Sequence, residues 1–278
     1  MIQYKNLHVT VFESALFRTT STVVQTKDLV LVADPNWLPG EVGTIRQQVE
    51  NVTAGRPVFL LFTHSDYDHI IGYGAFPGTK TIASAAFARN PEKEEIIEQI
   101  RTWDDENYIV RPYPIHYPAV EVTVAEDGQT FELGETKLTF YLAPGHNADG
   151  IFTILETTQP GFTPVWLAGD YLCEVEFPYI YHSSTAYEQT LGKVDLILEK
   201  HAPALLVPGH GDVAVSDKDI LQRKKEALDY IREMRACIAK GIDFDTEKLW
   251  KRYRFRRGME KFHRENVLLF EKEFRKGG

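Results

Sequence analysis

Residues 64–69 read His-Ser-Asp-Tyr-Asp-His, and they follow directly on the apolar run Pro57-Val58-Phe59-Leu60-Leu61-Phe62-Thr63. A run of that length and composition, rich in strand formers, predicts a buried strand. Four potential metal ligands therefore stand within six residues where a buried strand gives way to a turn. Further along, the chain supplies His146 in Ala-Pro-Gly-His, Asp170 in Ala-Gly-Asp and His210 in Pro-Gly-His-Gly. Imidazoles and carboxylates gathered in this way suit one or two divalent metals of the zinc, iron or manganese type. The chain reads first of all as a metalloenzyme.

The 278 residues are 43% hydrophobic, an ordinary globular composition that fits one large domain or a domain with an appendage. The N-terminal residues lack the basic stretch and apolar core of a signal peptide, and no apolar run approaches the roughly 20 residues of a membrane helix. Cys173 and Cys237 are too few for a disulfide framework. These features lead us to expect a soluble cytoplasmic protein acting on a small molecule, without a membrane partner. The net charge of −9 is unevenly spread: residues 216–278 carry +6 and the preceding 215 residues carry −15. An acidic body makes a nucleic-acid partner an unfavoured expectation.

Extended structure is expected at 9–12, 22–25, 29–33 and 57–63, then at 80–84, 120–124, 130–133, 137–142, 151–155, 164–168 and 204–207. Val42, Ile45, Val49 and Val52 recur at helical spacing, as do Ile96, Ile97, Ile100 and Trp103 in a helix that Pro91 is expected to open. Beyond Asp217 the pattern is helical, with Ile220, Ala227, Ile231, Met234 and Ile238 on one face and Met259, Phe262, Phe270 and Phe274 on another. Strands first, with helices between and after them, indicate a layered α/β architecture. Each candidate ligand group lies just past one of these strands, so that several loops on one sheet edge can point at a common place.

With these residues in hand, the chain resembles the metallo-β-lactamase fold superfamily. Thr63-His64-Ser65-Asp66-Tyr67-Asp68-His69 is similar to that family's H-x-H-x-D-H motif, and Ala143-Pro144-Gly145-His146 resembles its second motif. Leu167-Ala168-Gly169-Asp170 resembles the third, Val207-Pro208-Gly209-His210-Gly211 the fourth, and Val30-Leu31-Val32-Ala33-Asp34 the strand before the site. The motifs occur in the family's order over residues 8–212. The resemblance implies an αββα sandwich over residues 1–215, with residues 216–278 a helical C-terminal extension packed on the same domain. It also implies two divalent metals, zinc in the first instance. His64 and His146 would bind the first metal, joined by Asp66, and Asp68, His69 and His210 the second, with Asp170 between them. Asp68 and Asp170 are the expected catalytic residues. The implied activity is hydrolysis of a small ester, thioester, lactone or phosphodiester by a metal-bound hydroxide.

Asp66 departs from the family pattern, which has histidine there. A third carboxylate lowers the formal charge of the filled site and makes the first position a harder one, so iron or manganese becomes acceptable beside zinc. The flavodiiron branch also has an acidic residue at this point, which raises an alternative function, an iron-dependent oxidoreductase fed by an external electron donor. Aspartate is short, and contact with a metal only through water is a further expectation. Asp34 is expected in a turn or behind the ligands. Residues 171–182 either wall a substrate pocket or pack in the core, with Tyr181 or His182 considered as a proton donor. The basic run Lys248 to Arg257 is expected to be a solvated face whose aromatic residues dock on the body.

Overall fold

In the computed structural model, which describes residues 1–277, the strand Val58–Leu61 is buried on both sides. Leu60 and, just beyond the strand, Phe62 enter one apolar cluster, whereas Phe59 and Leu61 enter another. Side chains alternate across a strand, so a sheet covered on both faces needs an unbroken apolar run rather than an alternating one. Val165-Trp166-Leu167-Ala168 behaves the same way, with Val165 and Leu167 on the inner side and Trp166 and Ala168 on the outer.

The first sheet has seven strands in sequential order: β1 (Ile2–Lys5), β2 (Val9–Glu13), β3 (Thr20–Gln25), β4 (Val30–Ala33), β5 (Val58–Leu61), β6 (Lys80–Ser84) and β7 (Val122–Val124). β1 to β4 pair antiparallel, and β4 to β7 pair parallel. The second sheet contains β8 (Thr130–Leu133), β9 (Thr136–Leu142), β10 (Ile151–Thr157), β11 (Val165–Gly169) and β12 (Leu205–Pro208). In it β11 and β12 pair parallel, and β8 to β11 pair antiparallel. Leu31, Phe59, Leu61 and Ile82 from the first sheet meet Leu138, Phe140, Leu155 and Leu167 from the second. This inter-sheet layer is the centre of the molecule, and each fully buried aliphatic side chain in it is worth about 1.5–3 kcal/mol.

Helices cover both outer faces. Over the first sheet lie α1 (Pro39–Thr53) and, after the single turns α2 (Tyr67–Ile70) and α3 (Ala85–Ala88), α4 (Lys93–Glu106). The second sheet is covered by α5 (Ser184–Gly192), α6 (Val194–His201), α7 (Asp217–Lys240), α8 (Thr246–Arg252) and α9 (Arg256–Gly277). The result is an αββα sandwich whose outer layer on the second sheet is completed by the C-terminal helices. Among the described residues, no helix is long and apolar enough to cross a membrane.

Several local expectations are corrected. β1, α5 and α6 carry no marked sequence signal and appear only in the structure; the two short helices bury only a few side chains each, among them Tyr187, Leu191, Val194 and Ile197. Pro91 precedes its helix by two residues instead of opening it. Phe274 is 57% exposed and does not share the buried face of Met259 and Phe270. The ligand hexapeptide is not all turn: Tyr67–Ile70 closes one helical turn, with Asp66 O accepting from His69 N at 2.9 Å. Asp66 itself stays extended, at φ −60° and ψ 141°.

Candidate metal centre

The extended Asp66 followed by a helical turn splits the hexapeptide between two groups of donors. His64 and Asp66 face His146 and Asp170, while Asp68 and His69 face His210; within each group the donor atoms lie within 4.8 Å of one another. All seven residues singled out from the sequence are thus brought together. They arrive from the ends of β5, β9, β11 and β12, on one edge of the sandwich.

Asp170 is the hub. Its Oδ2 lies 3.2 Å from Nε2 of both His146 and His210 and 3.6 Å from His64 Nε2, and its Oδ1 lies 3.2 Å from His69 Nε2. On the first side, Asp66 Oδ2 is 3.0 Å from His146 Nε2 and 3.6 Å from His64 Nε2. Asp66 therefore reaches the same point as the imidazoles despite its short side chain, and contact through water alone is not required. On the second side, Asp68 Oδ2 is 3.7 Å from Nε2 of both His69 and His210. Close approach is possible because residue 209 is glycine: a Cβ there would collide with Asp170 Oδ1 and stand 3.0 Å from His69 Cε1.

The outward nitrogens of the four imidazoles are all engaged. His69 Nδ1 donates to Asp34 Oδ2 at 3.0 Å, His146 Nδ1 to Tyr179 O at 2.7 Å, and His210 Nδ1 to Phe17 O at 3.0 Å. Thr63 Oγ1 donates to Asp34 Oδ2 at 2.5 Å and so accepts from His64 Nδ1 at 3.0 Å. With the proton assigned to Nδ1 in each ring, every Nε2 lone pair points inward, the arrangement seen where imidazole binds a metal. Asp34, expected in a turn or behind the ligands, orients His69 directly and His64 through Thr63.

A divalent metal fits these residues. His64 Nε2, His69 Nε2 and Asp170 Oδ1 are buried without any hydrogen-bond partner, and buried polar groups are rarely left so. The electrostatics agree. Burial works against the charge on Asp170, yet the surrounding imidazoles of His210, His69, His64 and His146 hold it well below the usual carboxylate range. Asp66 is likewise held low, against its burial, by His64 and His146. Burial alone would lower His146 and His210, but Asp170 with Asp66 raises the former to about 9, and Asp170 with Glu176 raises the latter to about 10. The carboxylates draw positive charge into the cluster.

Some participants had no sequence signal. Glu176 forms a third group of potential ligands with Asp170 and His210, although it belongs to no motif, and burial pushes its carboxyl pKa up. Asp66 Oδ1 accepts from Asn147 Nδ2 at 3.2 Å and from the Tyr181 hydroxyl. Residues 171–182 lie partly beside the centre and partly in the core. Tyr179 and Tyr181 lie 5.9 and 4.9 Å from the His146 ring, whereas Phe177 stacks on Tyr230 and Tyr171 on Tyr187 in the core. His182 is exposed. In the basic run, Arg252 and Arg256 pair with Glu226 and Glu260, and Trp250 and Tyr253 pack against Phe177 while Phe255 stays exposed. Cys173 and Cys237 are both free thiols.

No protein-family model and no curated protein matches this sequence. Solved structures do match it in three dimensions. A motif mutant of a metallo-beta-lactamase from Cronobacter sakazakii is 16% identical, covering 85% of this chain and 99% of its own, with a TM-score of 0.58. The metallo-beta-lactamase GOB-18 from Elizabethkingia meningoseptica is 15% identical, covering 82% and 90%, at 0.56. A metallo-beta-lactamase family protein from Thermus thermophilus is 18% identical, covering 84% and 82%, at 0.56. The likeness at these identities is one of architecture, and it extends over more than four fifths of this chain. The chain has the metallo-β-lactamase fold.

Proposed function

We propose that this protein is a metal-dependent hydrolase of a small ester, thioester, lactone or phosphodiester. The observation that carries the reading is the common orientation of four buried imidazoles, each bonded outward through Nδ1, with their Nε2 atoms gathered around Asp170. His64, Asp66 and His146 would hold one divalent metal and Asp68, His69 and His210 the other, with Asp170 reaching both and Glu176 beside His210. Bound metals of this kind supply Lewis acidity and bring the pKa of water near neutrality. The chain's own groups do the rest. Asp68, the expected catalytic carboxylate, accepts from Thr19 Oγ1 at 3.3 Å through Oδ2, a contact that holds it beside His69 and His210 and facing the place where a metal-bound water would stand. The rings of Tyr179 and Tyr181 shield the His146 side from bulk solvent.

Zinc is the leading metal. The carboxylates of Asp66 and Glu176 add hard oxygen donors and favour iron or manganese as competitors. The same donors support a second reading, an iron-dependent oxidoreductase. Metal analysis of protein purified without added metal separates the two: zinc without iron argues for the hydrolase.

The test of the first reading is turnover of an ester, thioester, lactone and phosphodiester panel after reconstitution with Zn, Mn or Fe. A β-lactam belongs in that panel because the similar structures are named metallo-beta-lactamases. The double variant His64→Ala, Asp170→Ala should abolish turnover; undiminished activity would sink the assignment.

A further inference from the structure

Asn266, in the middle of α9, is fully buried, yet it is a polar side chain inside an apolar cluster. Its amide grips the backbone of the segment that follows Asp170. Asn266 Oδ1 accepts from Ile180 N at 2.8 Å, and Asn266 Nδ2 donates to Pro178 O at 2.7 Å and to the Tyr230 hydroxyl at 2.9 Å. One residue further along this segment from Pro178, Tyr179 O accepts from His146 Nδ1 at 2.7 Å, and two residues beyond that the Tyr181 hydroxyl donates to Asp66 Oδ1. The neighbouring Glu265 accepts from the Tyr179 hydroxyl, and Phe262 stacks on the Tyr179 ring at 4.2 Å. A side chain that pairs with both a carbonyl and an N–H of one strip of chain fixes its position in two directions, and a buried amide so paired is costly to disturb.

We propose that Asn266 is a positioning residue for the first metal position: the C-terminal helix α9, by clamping residues 178–181, sets the orientation of His146 and Asp66. The second position is tied elsewhere. Asp34 on the edge of the first sheet holds His69, and Phe17 holds His210. The first position shares that sheet through His64, Thr63 and Asp34, but its His146 and Asp66 are braced in addition by the C-terminal helix α9. The inference rests on the metal reading given above.

Cobalt(II) titration of the metal-stripped full chain, followed by its ligand-field absorption and by competition with a chromophoric chelator, tests it. Wild type should take up two ions. In Asn266→Ala the affinity of one position should fall about 10- to 100-fold, the range for loss of an outer partner of a ligand, while the other is unchanged. His64→Ala identifies the affected position, because it should remove the same step. Asn266→Ser, which keeps one polar partner, should recover part of the loss. Where Asn266→Ala does not fold, Glu265→Ala removes a half-exposed partner of Tyr179 and should weaken the same step more mildly. An unaltered first step in the folded variants, or equal weakening of both steps, overturns the inference. Wild type that binds no cobalt overturns the metal reading itself, a result distinct from failure of the variants alone.

Discussion

Asp34 and His69 form a buried carboxylate–imidazole pair, with Oδ2 3.0 Å from Nδ1. The same carboxylate accepts from Thr63 N at 2.9 Å and from Thr63 Oγ1, so its orientation is fixed before the imidazole is considered. Replacing Asp34 with Asn removes the charge that favours the Nδ1–H tautomer. Metal affinity at the His69 position should fall about 10- to 100-fold, with the fold retained. Chelator competition with matched circular dichroism spectra checks this, and an affinity equal to wild type would contradict it.

Asp66→His should move metal preference. The substitution exchanges an oxygen donor for a softer nitrogen and removes the acceptor used by Asn147 and Tyr181. Zinc should gain over manganese at the first position, read by competition between the two ions with elemental analysis. A ratio that does not move would show that Asp66 has no influence on the metal.

Gly209→Ala should damage both the centre and the fold. The added methyl would meet Asp170 Oδ1 and the backbone of Gly169, neither of which can retreat without moving β11. The expected stability loss is about 1–3 kcal/mol, typical of overpacking, together with loss of stoichiometric metal binding. Urea midpoints and metal content of the purified variant are the measurements. Alanine tolerated in both would mean that Asp170 has more room than its neighbours indicate.

Stripping the metal should lower thermal stability. Asp170, His64 and His69 each keep a buried atom without a partner, and a ligand that binds only the folded chain adds about 2.7 kcal/mol at one hundred times its dissociation constant. Tm should therefore fall on chelation and recover on adding back the metal. A Tm indifferent to both treatments would argue that nothing binds.

Acid sensitivity has a separate source in His263. Burial lowers its pKa below the ordinary 6.5, and its Nδ1 accepts from the Tyr230 hydroxyl at 3.1 Å, while Phe177, Phe244 and Trp250 surround the ring. Below the unfolded pKa, the unfolded chain binds a proton that the native ring refuses, so this contribution to stability falls as pH drops below 6.5. The slope can reach about 1.4 kcal/mol per pH unit. His263→Gln should flatten the difference in urea midpoint between pH 7.5 and 5.5, and an unchanged difference would assign the slope to other groups.

The candidate ligands were legible in the sequence because each lies in the turn that follows a strand buried on both faces, and such strands announce themselves. Val58 to Phe62 and Val165 to Ala168 are unbroken apolar runs for that reason. The supporting residues were not legible. Glu176 follows Asp170 at no diagnostic spacing, and Asn266 is a single polar residue in an amphipathic helix, where most such residues face water. Its burial depends on how α9 lies across α7 and the 178–181 segment, which no local pattern encodes. Helices α5 and α6 escape notice because each is too short to repeat its apolar face.

The order in which the ligands occur along the chain bears on biosynthesis. His64, Asp66, Asp68 and His69 are made long before His210, and Asn266 follows every ligand. Bringing His210 to His64 closes a long loop, an entropy cost that packing of the two sheets would offset, unlike the short loop of a small zinc finger. A nascent chain that has released His210 but still holds α9 within the ribosome has all its ligands and lacks the clamp on residues 178–181. On the metal reading, loading would be a late event, tied to the docking of α9.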